Sequence, residues 1–141
     1  MTRILCLDDD LEVLNLLSRI LTRIGYEILT TASSYEALDI LRHQPIDLLT
    51  QDYMRPELDG LQFLKIMKAD AALCRIPVLI VASRARDGWA EAVKRAGLDP
   101  DRDVDGYVTK PFSPSGILNA VEAALTRHGK TVPPPAVQLR S

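Results

Sequence analysis

The sequence predicts a doubly wound α/β fold, with a five-stranded parallel sheet between two layers of helices, and three observations carry that expectation. Short apolar runs alternate with longer amphipathic stretches along the chain, the pattern of strand–helix repeats. The runs are continuously apolar, as suits strands covered on both faces. At 141 residues, with 47% apolar and 26% charged side chains, the chain has the size and composition of one soluble domain with one sizeable core.

The expected strands are Ile4-Leu5-Cys6-Leu7, Ile28-Leu29, Leu48-Leu49-Thr50, Val78-Leu79-Ile80-Val81-Ala82 and Tyr107-Val108. The first helix carries Val13, Leu14, Leu17, Ile20, Leu21 and Ile24 as a stripe at spacings of three and four. Asp10 is placed to cap it, and Gly25 to end it in a left-handed conformation. Ser33-x-x-Glu36 is a capping box for the second helix, which Pro45 stops. Leu61, Leu64 and Met67 mark the third, and the fourth runs from about Asp87 to Ala96, closing at Gly97. In the fifth, Ser113 is the cap and Pro114 the first helical residue, with Ile117, Leu118, Val121 and Leu125 as the stripe. After Gly129 the run Lys130-Thr131-Val132-Pro133-Pro134-Pro135 cannot continue a helix and reads as an extended tail or linker stub.

The totals exclude more than they identify. A net charge of −2 gives no basic excess for nucleic acid or an anionic membrane. The longest apolar runs are strand-sized, too short to span a bilayer. The chain enters a strand at once, without the pattern of a signal peptide. Cys6 and Cys74 read as structural thiols of a reducing, cytoplasmic compartment.

Sheets of this kind bind ligands beyond the carboxyl ends of their strands. There the sequence places Asp8, Asp9 and Asp10 after the first strand, Asp52 after the third and Lys110 after the fifth. Crowded carboxylates repel unless a cation sits among them. All-oxygen donors favour a hard cation, and Mg²⁺ is the usual choice when phosphate is involved. A carboxylate can attack phosphorus to give an aspartyl phosphate, while metal and ammonium neutralise the transferring group. The pattern therefore points to phosphoryl transfer onto an aspartate.

Leu7-Asp8-Asp9-Asp10, Asp52-Tyr53-Met54-Arg55-Pro56-Glu57-Leu58-Asp59-Gly60 and Lys110-Pro111-Phe112 resemble the three signature segments of bacterial response-regulator receiver domains, in order and each at the end of the right strand. The resemblance implies a receiver domain over 1–128 with a tail at 129–141, and a flavodoxin-like receiver fold with strand order 2-1-3-4-5. It implies Asp52 as phosphoacceptor, and Asp8, Asp9, Asp52 and the Met54 carbonyl as the site of Mg²⁺ or Mn²⁺. Lys110 would pair with Asp52 and then with the phosphoryl oxygens, with a cis Lys110–Pro111 peptide. Tyr107 corresponds to an aromatic switch that turns inward on activation. The implied partners are a sensor histidine kinase or phosphotransfer protein and a downstream protein target. That target would be met through the face of the fourth helix, fifth strand and fifth helix, a face that also serves for homodimers; direct contact with nucleic acid or membrane is not expected. Such a domain is a signalling phosphoprotein rather than an enzyme, with only slow self-catalysed phosphorylation and dephosphorylation.

One position departs from the family. Ungapped alignment puts Ala82 where a Thr or Ser hydroxyl normally contacts the phosphoryl group. Ser83 is one residue on and should point the other way by strand alternation, unless a bulge re-aims it; both readings stand at this point. Met54 and Arg84 occupy the two positions that tune the lifetime of the phosphoryl group. Met54 is apolar and cannot orient a water, and Arg84 can reach an anion, so slow autodephosphorylation is expected. Thr50 and Gln51 are polar within the acceptor strand and are expected to find hydrogen bonds in the core.

The link 98–105 is long for a helix–strand connection. Asp101, Asp103, Asp105 and Gly106 imitate the start of a calcium loop, but its twelfth position is Phe112, so a solvated acidic loop is the preferred reading. His43 and His128 read as exposed helix-end residues, and Trp89 as either packing or partner surface. Two competing functions remain: a pseudo-receiver that binds partners without phosphate, favoured by Ala82, and a haloacid-dehalogenase-type phosphatase, suggested by Asp8-x-Asp10.

Overall fold

The computed structural model describes residues 2–52, 59–83, 86–130 and 132. Within them five strands alternate with five helices: β1 (Arg3–Leu7), α1 (Leu11–Ile24), β2 (Glu27–Thr31), α2 (Ser34–His43), β3 (Leu48–Gln51), α3 (Gly60–Ala69), β4 (Val78–Ala82), α4 (Arg86–Arg95), β5 (Gly106–Thr109) and α5 (Pro114–Arg127). All neighbouring strands pair in parallel, in the order β2-β1-β3-β4-β5. The expected fold and strand order are both present.

The side-chain period of two divides each central strand between the two layers. Leu5, Leu7, Leu49, Val78, Ile80 and Ala82 pack against α2, α3 and α4 through Leu38, Phe63, Leu64, Trp89 and Val93. Ile4, Cys6, Leu48, Leu79 and Val81 face α1 and α5 through Leu14, Leu17, Leu21, Ile117 and Val121. Trp89 is thereby resolved as core, being 1% exposed. The central strands β1, β3 and β4 are almost wholly buried, whereas β2 and β5 at the sheet edges are only half-buried, so continuous apolarity is confined to the middle of the sheet.

Helix ends follow the local signals. Asp10 accepts from the Glu12 N–H, Ser33 from Glu36, Asp59 from Gln62 and Ser113 from Gly116. Gly25 ends α1 at φ 113°, where a side chain would be strained. At Gly106, which pairs with Leu79 across the sheet, an added Cβ would lie 2.7 Å from the Leu79 Cδ1. Past α5, the Lys130 N–H donates to the Leu125 carbonyl, its ammonium lies 3.5 Å from Asp47, and Val132 packs against the α1/α5 layer. The start of the expected tail is thus folded back onto the domain; residues 133–141 lie outside the described residues. No helix among the described residues is long and apolar enough to cross a membrane.

Tyr26, at the end of the α1–β2 turn, is buried beside Glu122. Burial first, and then the Glu122 charge, push its phenol from 10.0 up to about 12. Between those values the unfolded chain has released the proton and the folded chain still holds it, so stability falls as pH rises through this window. Chemical denaturation at pH 9 and pH 11 should show that loss, and Tyr26→Phe should show a smaller one. An equal loss in both proteins would assign the alkaline sensitivity elsewhere.

Candidate functional site

Three sheet hydrogen bonds run one residue past the ends of their strands. The Asp8 N–H donates to Thr31 O at 3.2 Å, Asp52 N–H to Leu7 O at 3.3 Å and Lys110 N–H to Ala82 O at 2.9 Å. Each extends a parallel ladder whose register is already fixed. Residues 102 positions apart in sequence therefore meet at the carboxyl edge, where the Lys110 Nζ donates to Asp8 Oδ2 at 2.7 Å. The expected ion-pair partner of Lys110 was Asp52; in the structure the ammonium reaches Asp8. β1 lies three places from β5 and β3 only two, so strand order does not account for the choice; the long lysine stem spans the wider gap.

Carboxylate oxygens of Asp8, Asp9 and Asp52 lie within 4.8 Å of one another. Asp8 and Asp52 are 2% and 5% exposed, whereas Asp9 faces solvent. At an effective dielectric of about 20, each pair of charges at that distance repels by roughly 3 kcal/mol, a repulsion that nearby positive charge relieves. The donors of the cluster are all hard oxygens, the set that suits Mg²⁺ or Mn²⁺. Asp10 does not join it: its N–H donates to Asp8 Oδ1 and its carboxylate caps α1. That use of Asp10 counts against the Asp8-x-Asp10 phosphatase reading, which needs both carboxylates in one site.

Thr50 and Gln51 are accounted for by hydrogen bonds. Thr50 bonds to the Cys6 side chain. The Gln51 amide donates to the Gly60 carbonyl at 3.1 Å, tying the end of β3 to the first turn of α3 across the acceptor loop. The Gln51 Oε1 is buried with no partner among the described residues. Burial pushes the Cys6 thiol from 9.0 up to about 11, against the lowering effect of the Thr50 bond and with a smaller push from Asp8. Cys6 thus stays an inert thiol, and neither cysteine is in a disulfide.

At the switch position strand alternation holds without a bulge. Ala82 pairs with Thr109, is 3% exposed and packs in the layer of Trp89 and Val93. Ser83 is exposed and lines an open groove with Asp10, Lys110 and Phe112 on the α1/α5 side. No hydroxyl occupies the place of Ala82. Tyr107 is half-buried against the Ala82 layer, and its hydroxyl donates to the Pro100 carbonyl at 3.0 Å. The Lys110–Pro111 peptide is cis, as expected. Met54 and Arg84 lie outside the described residues.

Asp99 and Asp101 are exposed, as expected of a solvated acidic loop, but solvation is not the whole of it: Asp99 accepts from the N–H groups of Asp101 and Arg102, and Asp103 accepts from that of Asp99. The Asp101 and Arg102 donors hold the Asp99 carboxyl below its ordinary value. Nor is His128 merely exposed, since its Nε2 meets Asp105 Oδ1 at 2.6 Å. Asp105, with a side chain 1% exposed, also accepts from the Val78 N–H. Backbone donors and cations take oxygens of Asp99, Asp103 and Asp105, and among the described residues only Asp8, Asp9 and Asp52 form a group fit for a metal. His43 is exposed, as expected, beside Asp39. Spacing gave no signal for the His128–Asp105 contact, which depends on where α5 ends relative to β5.

Comparison with known proteins agrees with this geometry. A family profile described as "Response regulator receiver domain" matches residues 4–122. Over 126 residues the chain is 31% identical to the polar-differentiation response regulator DivK of Brucella ovis, covering 89% of this chain and 98% of that one. It is 31% identical to the probable transcriptional regulator ycf29 of Cyanophora paradoxa and 32% to the response regulator GtcR of Aneurinibacillus migulanus. It matches 91% and 88% of its own length there, but spans only 58% and 48% of those two relatives. Among solved structures, the chemotaxis protein CheY4 of Vibrio cholerae superposes with a TM-score of 0.77 at 25% identity, over 89% of this chain and 99% of that one. A sensor protein from Polaromonas sp. JS666 shares the fold, with a TM-score of 0.80 at 23% identity over 90% of this chain and 98% of that one. With its sheet order, its strand-end aspartates and lysine, and this family match in accord, the chain belongs to the response regulator receiver domain family.

Proposed function

We propose that this domain is a phosphoacceptor switch: it takes a phosphoryl group on Asp52 and passes the change to a protein partner. The observation that carries the reading is the convergence of Asp8, Asp9 and Asp52 within 4.8 Å beside the Lys110 ammonium. An Asp52 oxygen attacks phosphorus, forming a P–O bond. The bond to the donor breaks, a P–N bond for phosphohistidine or a P–O bond for acetyl phosphate, and its electron pair leaves with imidazole or acetate. Asp8, Asp9 and Asp52, with the Met54 carbonyl that the family pattern adds, would hold Mg²⁺ or Mn²⁺. Bound there, the ion supplies positive charge to the phosphoryl oxygens. Lys110 supplies a second positive charge at the same edge and has Asp8 as its resting partner. The phosphodonor would be a sensor histidine kinase, a phosphotransfer protein or a small acyl phosphate, and the signal would leave through the α4-β5-α5 face, in a phosphorelay of two-component type.

A second reading, a pseudo-receiver that ignores phosphate, has one observation in its favour: buried Ala82 offers no hydroxyl at the relay position. Incubation with acetyl phosphate and Mg²⁺ separates the two. Intact mass should rise by one phosphoryl group in the wild type and not in Asp52→Asn; an unmodified wild type would establish the pseudo-receiver.

The metal is read independently of chemistry. A cation that binds only the folded chain stabilises it by about 1.4 kcal/mol at ten times its dissociation constant. Thermal unfolding should shift upward in millimolar Mg²⁺, and Asp9→Asn should lose most of that shift. Equal shifts in both proteins would place the ion elsewhere.

The lifetime of the phosphoryl group is expected to be long. Met54→Asn, which can orient a water, should shorten it several-fold as followed by mass after donor removal. An unchanged lifetime in both Met54→Asn and Arg84→Ala would show that these positions do not set it.

A further inference from the structure

The long link between α4 and β5 touches both Tyr107 in β5 and the last turn of α5. Its turn is closed on itself: the Asp103 N–H donates to the Asp99 carbonyl at 2.8 Å, while the Asp99 N–H donates to Asp103 Oδ2 at 2.7 Å. Asp99 Oδ1 takes two more backbone donors, and Val104 is buried in the core. A turn this heavily bonded moves as a unit. On one side it holds the switch residue, through the Tyr107 hydroxyl on the Pro100 carbonyl at 3.0 Å. On the other it holds the last turn of α5. Arg127 Nη2 donates to the Asp101 carbonyl at 2.7 Å, Arg127 Nη1 lies 3.6 Å from Asp105, and His128 Nε2 meets Asp105 at 2.6 Å.

We propose that the 98–105 segment is a latch that couples the orientation of Tyr107 to the C-terminal turn of α5. The proposal extends the phosphoacceptor reading to how the switch is read out, since an inward turn of the Tyr107 ring must break its bond to Pro100. With that bond lost, Pro100 loses its tie to Tyr107, and the hold of the turn on Arg127, through the Asp101 carbonyl, and on His128 loosens although Asp105 stays bonded to Val78. The end of α5 is also where the chain folds back, through the Lys130 N–H on the Leu125 carbonyl and the Lys130 ammonium near Asp47. The latch thus transmits the state of Tyr107 to the turn that follows α5.

Backbone hydrogen exchange of the full chain tests it, because the amides of His128, Gly129 and Lys130 are all hydrogen-bonded at this turn. In the resting protein, Tyr107→Phe removes only a hydroxyl that touches neither Arg127 nor His128. It should nonetheless raise exchange at 128–130 by about three- to tenfold, the effect of one lost hydrogen bond on local opening. Arg127→Ala should reciprocally raise exchange around 99–105 and at Tyr107. Changes confined to the neighbourhood of each substitution would overturn the latch. In wild type treated with acetyl phosphate, a mass shift with raised exchange at both segments supports it, and a mass shift without that rise overturns it. Absence of a mass shift would instead defeat the acceptor reading, and the two resting-state variants would still decide the latch.

Discussion

Everything at the candidate site depends on parallel ladders that run one hydrogen bond beyond their strands. Asp8, Asp52 and Lys110 owe their places to N–H groups donating to Thr31, Leu7 and Ala82, not to contacts among their side chains. Three carboxylates within 4.8 Å repel one another, so the side chains do not assemble the arrangement unaided. The buried strands β1, β3 and β4, packed on both faces, provide the rigidity that holds them together. A cation or a phosphoryl group arriving at this edge meets a charge distribution already in place, so little reorganisation accompanies binding.

The two polar residues in β3 belong to the same economy. An apolar pair would pack as well, yet Gln51 spans from the acceptor strand to Gly60 at the start of α3, closing the loop that follows Asp52 at both ends. Its Oε1 is buried without a partner among the described residues, a local cost of roughly 1–3 kcal/mol. The bond to Gly60 fixes the end of β3, next to Asp52, against the first turn of α3.

Much of this was legible in the sequence because the signals are local. The caps at Asp10, Ser33 and Ser113 and the left-handed Gly25 are decided by residues within a turn of one another, and all sit where the spacing put them. The layer each strand residue faces follows from a period of two, and with no bulge at the end of β4 Ser83 and Ala82 face opposite ways, one of the two readings the sequence left open. What was not legible depends on distances between elements. The pairing of Lys110 with Asp8, on the more distant strand, turns on where the lysine stem runs over the sheet edge, and the capture of His128 by Asp105 turns on where α5 ends. An acidic run reads as solvated until the backbone folds its own N–H groups onto the carboxylates, as it does at Asp99 and Asp103. Trp89 was ambiguous for the related reason that α4 is otherwise polar, and only the packing of β4 and β5 beneath it settles its burial.

The absence of a hydroxyl at Ala82 changes the energetics of the relay more than the chemistry of the acceptor. An inward turn of Tyr107 costs the hydroxyl bond to Pro100, about 1 kcal/mol net, and Ala82 offers the phosphoryl group nothing to pull with in return. Ser83 lies on the other face of β4, beside Lys110 and Phe112 rather than among the side chains that Tyr107 packs against. Lys110 is the group that remains common to both processes. Its N–H is bonded to the Ala82 carbonyl, its ammonium to Asp8, and it lies three residues from Tyr107 on one continuous segment. A phosphoryl group that drew the ammonium from Asp8 would act on β5 through that segment. Moving a two-state equilibrium from mostly resting to mostly active takes on the order of 5 kcal/mol of differential interaction. Whatever supplies it must also part the Tyr107 hydroxyl from the Pro100 carbonyl, so the 98–105 turn enters the balance alongside the carboxylate edge.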